Sequence, residues 1–235
     1  MRPLSAAILA TPADSLSYRA FLQAQADNVD FKKGARTELR IRWAACGLLE
    51  ETSLAGLKVQ DICARASVAQ GTFYQYFADR DELLRTLLQD FVAFVRECML
   101  ASEPRGNGPH STVRAATLTY SRLFEQNRGL MKCLMNHYEE FPDARAIFQE
   151  MNRTWIETVV KSLKKKRKAA YKPKTTDDEL FRRCYALGGM VDQYLSYLFL
   201  YGDDNVTAVA GGLDAVVNTL TFIWNQTFAA EFDAV

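Results

Sequence analysis

The amino-acid sequence predicts an all-α protein in two parts, a small three-helix unit followed by a larger helical domain. Apolar residues recur every three or four positions along most of the chain, the spacing that places them on one face of a helix. No run alternates apolar and polar residues over the length of a strand, and no Asn-Gly or Asp-Gly pair joins two such runs as a hairpin. We therefore expect helices throughout, bounded by polar caps, prolines and glycines.

Composition and charge limit the function classes that this chain fits. Its 235 residues are 49% hydrophobic, enough for one large domain or two modest ones, and the formal net charge is +1. Binding to nucleic acid must therefore come from a local basic patch, because the chain has no overall basic field. The five cysteines are widely spaced and form no Cys-x-x-Cys pair, which favours reduced thiols over a zinc site or disulfides. We expect neither a metal nor a cofactor.

The apolar stretches of the chain do not predict a membrane span. The run at residues 4–10 is too short to cross a bilayer, and Arg2 alone before it makes a weak signal peptide. The stretch at residues 211–228 is interrupted by Asp214 and by threonine and asparagine residues. We therefore expect a soluble cytoplasmic protein that does not enter a membrane.

Residues 36–84 contain three short helical patterns and the start of a fourth helix. The three patterns lie at about 36–52, 59–66 and 70–76, and their apolar positions predict one small core. The members of that core are Ile41, Ala45, Leu48, Leu49, Val59, Ile62, Cys63, Ala66, Phe73 and Phe77. The fourth helix is predicted to begin at Asp79 as N-cap, with Glu82 positioned to reach back and complete the cap.

The second and third of these helices are joined by a tight corner at residues 66–68, the arrangement of a helix-turn-helix. Phe73 and Phe77 lie four residues apart and turn inward, so packing determines which face of the third helix points outward. That face presents hydrogen-bonding and aromatic groups without an acid: Gln70, Gly71, Thr72, Tyr74, Gln75 and Tyr76. Such a row can meet base edges and phosphates in the major groove of DNA. The alternative is an ordinary amphipathic helix pair in an all-α domain.

This segment resembles the DNA-binding signature of the TetR family of bacterial transcription regulators. The resemblance covers about residues 36–90 and rests on two runs that occur together, residues 68–77 and 79–84. These runs hold the Gly-x-Phe-Tyr-x-Tyr-Phe core and the helix cap that follows it. The resemblance implies an N-terminal helix-turn-helix DNA-binding domain and a C-terminal helical domain that binds an effector and dimerises.

The resemblance also implies which residues contact DNA. Those expected at bases or in the groove are Gln60, Gln70, Gly71, Thr72 and Tyr74, and those expected at the DNA backbone are Lys58, Gln75, Tyr76 and Arg80. Two positions in the turn depart from the family pattern, because Ser67 stands for the usual glycine and Ala69 for the usual Ser or Thr N-cap. Two contact positions depart as well: Arg80 stands for a lysine, which preserves a phosphate clamp, and Lys58 for a threonine cap.

Residues 1–35 are predicted to form an N-terminal arm. A short helix is expected from Asp14 or Ser15 to about Asp27. A basic segment then leads into the next helix through Lys32, Lys33, Arg36, Arg40 and Arg42. Two interpretations stay open: the basic end touches DNA, or the arm packs on the body of the protein.

Residues 85–235 are predicted to form the effector-binding and dimerisation domain. After the fourth helix, five more are expected at about 111–126, 129–138, 143–168, 176–201 and 205–228. An effector pocket between these helices would be formed by aromatic, thioether and a few polar side chains. The candidates are Tyr120, Phe124, Met131, Met135, His137, Phe148, Met151, Trp155, Met190 and Tyr194. The alternative is that these side chains are plain core.

The last two predicted helices each carry a broad apolar face. One face holds Leu180, Cys184, Leu187, Val191, Leu195 and Leu198, and the other holds Val206, Val209, Leu213, Val216, Leu220 and Ile223. Two such helices from each subunit predict a four-helix interface in a homodimer. Packing within a single subunit is the alternative.

The sequence contains no Gly-x-Ser-x-Gly elbow, phosphate-binding loop or dinucleotide fingerprint, so we do not expect an enzyme. By the resemblance, we expect a ligand-responsive transcription regulator, a repressor that binds a palindromic double-stranded DNA operator as a dimer. A small, largely apolar effector would release it. Two alternatives are a helical small-molecule-binding protein or enzyme without DNA binding, and a structural helical adaptor.

Overall fold

The structure is a computed structural model of the chain and describes residues 15–102, 109–136, 140–166 and 175–232. Within these ranges the chain is helical and contains no strand, so the all-α prediction is confirmed. The helices are α1 (Tyr18–Asp27), α2 (Lys33–Glu51), α3 (Val59–Ala66), α4 (Gln70–Phe73), α5 (Arg80–Leu100), α6 (Pro109–Gln126), α7 (Arg128–Asn136), α8 (Pro142–Lys166), α9 (Asp177–Ser196), α10 (Asp204–Ala210) and α11 (Leu213–Phe232). A π-helical turn, Tyr197–Tyr201, continues α9.

The chain divides into two compact units. The first unit comprises residues 1–101 and 122–148, and the second comprises residues 102–121 and 149–235. Helices α6 and α8 contribute residues to both units. The division that we expected between an arm, a DNA-binding domain and an effector domain is a functional one, and it stays a prediction.

Helices α2, α3 and α4 surround the small core that the sequence predicts. Ile41, Ile62 and Phe73 are fully enclosed, and the remaining predicted members are also buried except Val59. Val59 is the first residue of α3, and its side chain is half-buried rather than enclosed. The helical periodicity of the sequence therefore identified the core correctly, with one error at a helix end.

The first turns of α5 follow the predicted cap. The Oδ1 atom of Asp79 accepts a hydrogen bond of 2.8 Å from the Glu82 amide. The Glu82 carboxylate reaches back over the same turn and accepts from the Ala78 amide. The two bonds satisfy backbone donors that the start of a helix otherwise leaves without partners, so they determine where α5 begins.

Helix α1, within the predicted arm, packs on the body of the first unit. It begins at Tyr18 with Ser17 as N-cap, so the predicted start at Asp14 or Ser15 was too early. The Tyr18 ring is buried with its centroid 5.6 Å from that of Phe91 and 5.2 Å from that of Phe94, both on α5. For residues 18–27, packing on the body is thus the correct interpretation.

The last predicted helix is two helices. Residues 205–228 were expected to be continuous, but α10 ends at Ala210 and α11 starts at Leu213, with a bend of 92° between them. Gly211 and Gly212 lie between the helices with φ angles of 63° and 90°, a left-handed conformation that interrupts a right-handed helix. The prediction of one helix was wrong because apolar residues at helical spacing lie on both sides of the double glycine and favoured one continuous helix.

The apolar faces that we expected at a dimer interface are largely buried within their own chain. The core of the second unit contains Ile156, Val160, Leu180, Cys184, Leu187 and Phe228. Leu195, Val216 and Leu220 are buried as well. For these buried residues the structure supports the alternative of packing within a single subunit, and the homodimer through the last two helices stays a prediction. Val209 on α10 has 78% of its surface exposed, and four further members of the two faces are half-buried: Leu198, Val206, Leu213 and Ile223.

In the part of the chain that the structure describes, no single helix is long and apolar enough to cross a membrane. Helix α10 and residues 213–229 of α11 reach that length and composition only when taken together, across their bend.

Candidate nucleic-acid interface

The corner between α3 and α4 holds the two helices at a defined angle. Ser67 adopts a left-handed conformation with φ of 55° and ψ of 48°, the position for which a helix end usually selects glycine. The amide of Val68 then donates to the Cys63 carbonyl over 3.0 Å, which closes the end of α3. The turn thus forms although its residue is serine, and the departure from the family pattern leaves the corner intact.

Two phenylalanines attach the recognition segment, residues 70–76, to the core of the first unit. Phe73 and Phe77 are both buried, and their ring centroids are 5.8 Å apart. The regular part of α4 ends at Phe73, three residues earlier than predicted, because the amides of Gln75 and Tyr76 bond to carbonyls three residues back. This tighter turn keeps the segment compact between its two anchors.

The outward side of the recognition segment carries the residues that we expected there. Gln70, Gly71, Tyr74 and Gln75 are exposed, with 55% of the Tyr74 surface open to solvent, and Thr72 is half-buried. Gly71 has no atom within 4 Å of the position that a Cβ would occupy, so its backbone faces open space. On α3 and at its cap, Gln60 and Lys58 are exposed as well.

The half-buried Tyr76 connects the recognition segment with the first turn of α2. Its hydroxyl lies 3.3 Å from the position of a Cβ on Gly34, so the two elements are in close contact. The neighbouring Lys32 and Lys33 are exposed, and the first turn of α2 contains no acid. These features create a positive potential beside the exposed row, the outward side chains of residues 70–76. A positive potential attracts the phosphate backbone of a nucleic acid. The sequence separates the two elements by about forty residues, so their contact was not predictable.

Arg80, the expected phosphate clamp, is half-buried and already bonded within the first unit. Its Nε donates to Asp81 Oδ1 over 3.0 Å, and its Nη1 donates to the Leu54 carbonyl over 3.3 Å. A guanidinium has five N–H donors, so these two bonds fix its position without using all of them. The side chain is thereby oriented at the start of α5 beside the recognition segment.

This geometry agrees with a family assignment made on the sequence. Residues 41–87 match the family model described as bacterial regulatory proteins, tetR family. The helix-turn-helix segment of this chain therefore matches the DNA-binding domain of the TetR family. The matched residues contain α3, α4 and the exposed row, and the resemblance found in the sequence is therefore confirmed.

Several known proteins to which this chain is similar carry regulator names. YxbF, an uncharacterized HTH-type transcriptional regulator of Bacillus subtilis strain 168, is 26% identical over 140 residues, which are 59% of this chain but only 32% of YxbF. The chain thus spans about a third of that relative. A transcriptional regulator from Rhodococcus sp. Rha1 has the same fold, with a TM-score of 0.66 and 19% identity over 82% of this chain and 96% of that one.

Two further solved structures with the fold are FadR proteins. The fatty acid degradation regulator FadR of Bacillus halodurans has a TM-score of 0.63 and 16% identity to this chain. The match covers 82% of this chain and 96% of the FadR chain. The transcriptional regulator FadR of Bacillus subtilis, solved in complex with stearoyl-CoA, has a TM-score of 0.55 and 15% identity to this chain. The match covers 78% of this chain and 97% of that FadR chain. At these identities the likeness shows the fold alone.

The expected effector residues of the chain fall in both units. In the first unit, Phe124 and Met131 are buried core residues, and Met135 and Phe148 are half-buried. The second unit holds the others, all half-buried: Tyr120, Met151, Trp155, Met190 and Tyr194. Of these, Met190 packs against the apolar core of its unit. His137 lies outside the described residues.

Sequence reasoning missed a polar contact between two helices of the second unit. The Tyr120 hydroxyl on α6 donates a hydrogen bond of 2.7 Å to Asp192 on α9. Burial raises the pKa of Asp192 to about 6, and the bond from Tyr120 opposes part of that rise. A signal was present in the sequence, because Asp192 is the only charged residue between Arg183 and Asp203 in an otherwise apolar helix.

Proposed function

We propose that this protein is a transcription regulator of the TetR family that binds a palindromic DNA operator as a homodimer and represses its target. A small effector with an apolar body releases it from DNA. The observation that carries this proposal is the exposed row on the recognition segment, which is mounted rigidly and contains no acid. Gln70, Gly71, Thr72 and Tyr74 would read the major groove, and Lys58, Gln75, Tyr76 and Arg80 would hold phosphates, with Gln60 adding a groove contact.

The absence of side-chain atoms around Gly71 supports close approach to DNA. Direct reading of bases requires backbone and side chains to come within hydrogen-bond distance of the groove floor. An exposed glycine between Gln70 and Thr72 removes the bulk that would keep the segment away from it. The positive first turn of α2, next to Tyr76, supports contact with the DNA backbone on the same side.

An exposed stripe on α9 supports the homodimer. Tyr185, Gly189, Gln193, Tyr197 and Tyr201 recur every four residues, and all five are exposed. The three tyrosines each leave between 41% and 52% of their surface open, which is unusual for large side chains on an uncharged helix face. We propose that a second copy covers this stripe, which lies opposite the buried face that the sequence suggested. Two recognition segments would then match the two halves of an operator.

The proposed effector has two kinds of support. The half-buried aromatic and thioether side chains of the second unit offer apolar surface that is not fully used by the core. In addition, one protein of the same fold is a FadR in complex with stearoyl-CoA, a ligand with a long apolar chain. Release from DNA requires that the effector binds more tightly to a conformation that no longer fits the operator.

The proposal can be tested by DNA-binding titrations with the region upstream of the protein's own gene. We expect sequence-selective, salt-dependent binding that Gln70→Ala and Tyr74→Ala each weaken by roughly ten- to a hundred-fold. Gln149→Ala, which changes an exposed glutamine of α8, is the matched control and leaves binding unchanged. Binding without selectivity, or equal affinity in all variants, contradicts the proposal and favours a ligand-binding protein that does not act on DNA.

A further inference from the structure

Asp192 is a carboxyl group that the second unit places in poorly solvated surroundings. It is partly buried on α9, and the burial is sufficient to raise its pKa to about 6. Some of its surface stays accessible to solvent. At neutral pH the group is largely ionised, and an ionised group in such surroundings is stabilised by a cation or by strong donors.

No cation of the described chain fills that role. Among the residues that the structure describes, no lysine or arginine forms an ion pair with Asp192, and Tyr120 is the side chain that bonds to its carboxylate. Three arginines on the same two helices are engaged elsewhere: Arg114 with Asp214, and Arg182 and Arg183 with Glu179. Within the described part of the second unit, no lysine or arginine therefore balances the negative charge of Asp192.

Tyr120 orients the carboxylate but does not neutralise it. Its pKa is raised well above the ordinary value by burial and by the charge of Asp192, so the hydroxyl stays protonated and acts as a donor. The bond occupies Oδ1, while a carboxylate has two oxygens and about four acceptor positions. Capacity for at least one more strong donor thus remains on a group held in a fixed direction.

We propose that Asp192 anchors an organic cation, a protonated amine carried by an effector with an apolar body. The inference rests on the proposed ligand-binding function of the second unit and specifies its chemistry. Partly buried side chains of the same unit match the apolar body: Met151, Trp155, Met190 and Tyr194. A charge-assisted bond from an ammonium to a poorly solvated carboxylate is stronger than a bond between neutral groups. A carboxylate or phosphate at the same position would be repelled.

Three probes of matched shape test the proposal: 4-phenylbutylamine, 4-phenylbutanol and 4-phenylbutyrate. Calorimetric titration of the full-length protein, without DNA, should show the amine binding most tightly and the carboxylate least. Asp192→Asn keeps the size of the side chain and an acceptor for Tyr120, and it should weaken amine binding by roughly ten- to a hundred-fold. Asp178→Asn, an exposed acid on the same helix, is the control and should behave as wild type.

A pH series provides a second measurement that does not depend on a variant folding. In wild type, the affinity for the amine should fall as the pH is lowered from 7.5 to 5, because Asp192 takes up a proton while the amine keeps its own. The affinity for the alcohol should stay constant. The proposal is overturned by an amine that does not bind, by equal affinities for amine and carboxylate, or by amine binding that Asp192→Asn leaves unchanged.

The same variant separates this inference from the proposed regulatory function. In the absence of ligand, Asp192→Asn should bind operator DNA as wild type does, because its site takes no part in DNA contact. If wild type binds the amine but no DNA, the regulatory proposal fails and the cation site stands. If wild type binds DNA selectively but not the amine, the cation site fails and the regulatory proposal stands.

Discussion

Gly129 and Leu49 form a backbone contact between α7 and α2 that leaves no room for a side chain. A Cβ added at Gly129 would lie 2.6 Å from the carbonyl carbon of Leu49 and 2.7 Å from the Glu50 amide nitrogen. Non-bonded atoms do not approach so closely, and both neighbours are backbone atoms that cannot rotate away. The crossing of these two helices in the first unit therefore requires glycine at this position.

Gly129→Ala should destabilise the protein by about 1–3 kcal/mol, because the helices must move apart to admit the methyl group. Urea unfolding measures the change. Gly188→Ala on α9 is the matched control, since the nearest atom to its Cβ position is Ile156 Cδ1 at 4.0 Å, an ordinary contact. Equal stability of the two variants would contradict the requirement for glycine at the crossing.

Gly71→Ala separates DNA affinity from stability. The Cβ position is open, so the free protein should keep its fold or gain up to about 1 kcal/mol from the better helix propensity of alanine. Operator affinity should nevertheless fall by tenfold or more, because the methyl group occupies the space between the segment and the groove. Parallel thermal unfolding and DNA titrations measure the two effects. Undiminished DNA affinity would mean that Gly71 does not face the groove.

Ser67→Gly should stabilise the corner between α3 and α4. Serine at a φ of 55° carries a steric cost of about 1–2 kcal/mol that glycine avoids, while glycine loses about 0.5–1 kcal/mol of chain entropy on folding. We expect a net gain of about 0.5–1 kcal/mol in urea unfolding. A loss of stability would show that the serine side chain makes a compensating contribution to the turn.

Local signals in the sequence were sufficient for the small three-helix unit. The range of α3 was predicted at both ends, because apolar residues at helical spacing are followed by a turn that stops the helix. Asp79 was recognised as a cap because its bond partner, Glu82, lies only three residues away. Such features depend on neighbours in the chain, so a single sequence reveals them.

Features that depend on distant partners were not predictable. The apolar face of α9 was visible, but the choice between Phe228 of the same chain and a second subunit as its cover depends on the tertiary fold. Likewise, nothing near Asp192 in the chain indicates that Tyr120, 72 residues earlier, would bond to it. The break at Gly211 was missed for a different reason: the glycines were visible, but helical periodicity on both sides favoured one continuous helix.

Asn127 holds the start of α1 against the body of the first unit. Its Oδ1 accepts from the Tyr18 amide over 2.7 Å, and its Nδ2 donates to the carbonyls of Leu16 and Leu123. Asn127→Ala should cost about 2–3 kcal/mol, because it leaves buried backbone groups without partners. Hydrogen exchange of residues 18–27 should accelerate with it. Gln23→Ala, which removes an exposed bond to Asp27, is the control and should leave exchange in α1 nearly unchanged.

The stability of the second unit should depend on pH through Asp192. The carboxyl has a pKa of about 6 in the folded protein and about 3.9 when unfolded, so the unfolded state loses its proton first as the pH rises. The contribution of Asp192 to the free energy of unfolding is therefore largest below pH 4. It decreases between pH 4 and pH 6, by at most about 3 kcal/mol. Tyr120 remains protonated over this range and does not contribute to the change.

Asp192→Asn removes this titration while keeping an acceptor for the Tyr120 hydroxyl. The free energy of unfolding of the variant relative to wild type should thus increase as the pH is raised from 4 to 7. Urea unfolding at pH 4, 5, 6 and 7 measures the difference, and Asp178→Asn supplies the baseline for loss of an exposed carboxyl on the same helix. A constant difference between Asp192→Asn and wild type across this range would mean that Asp192 is well solvated. The physical basis for its role as a cation anchor would then be absent.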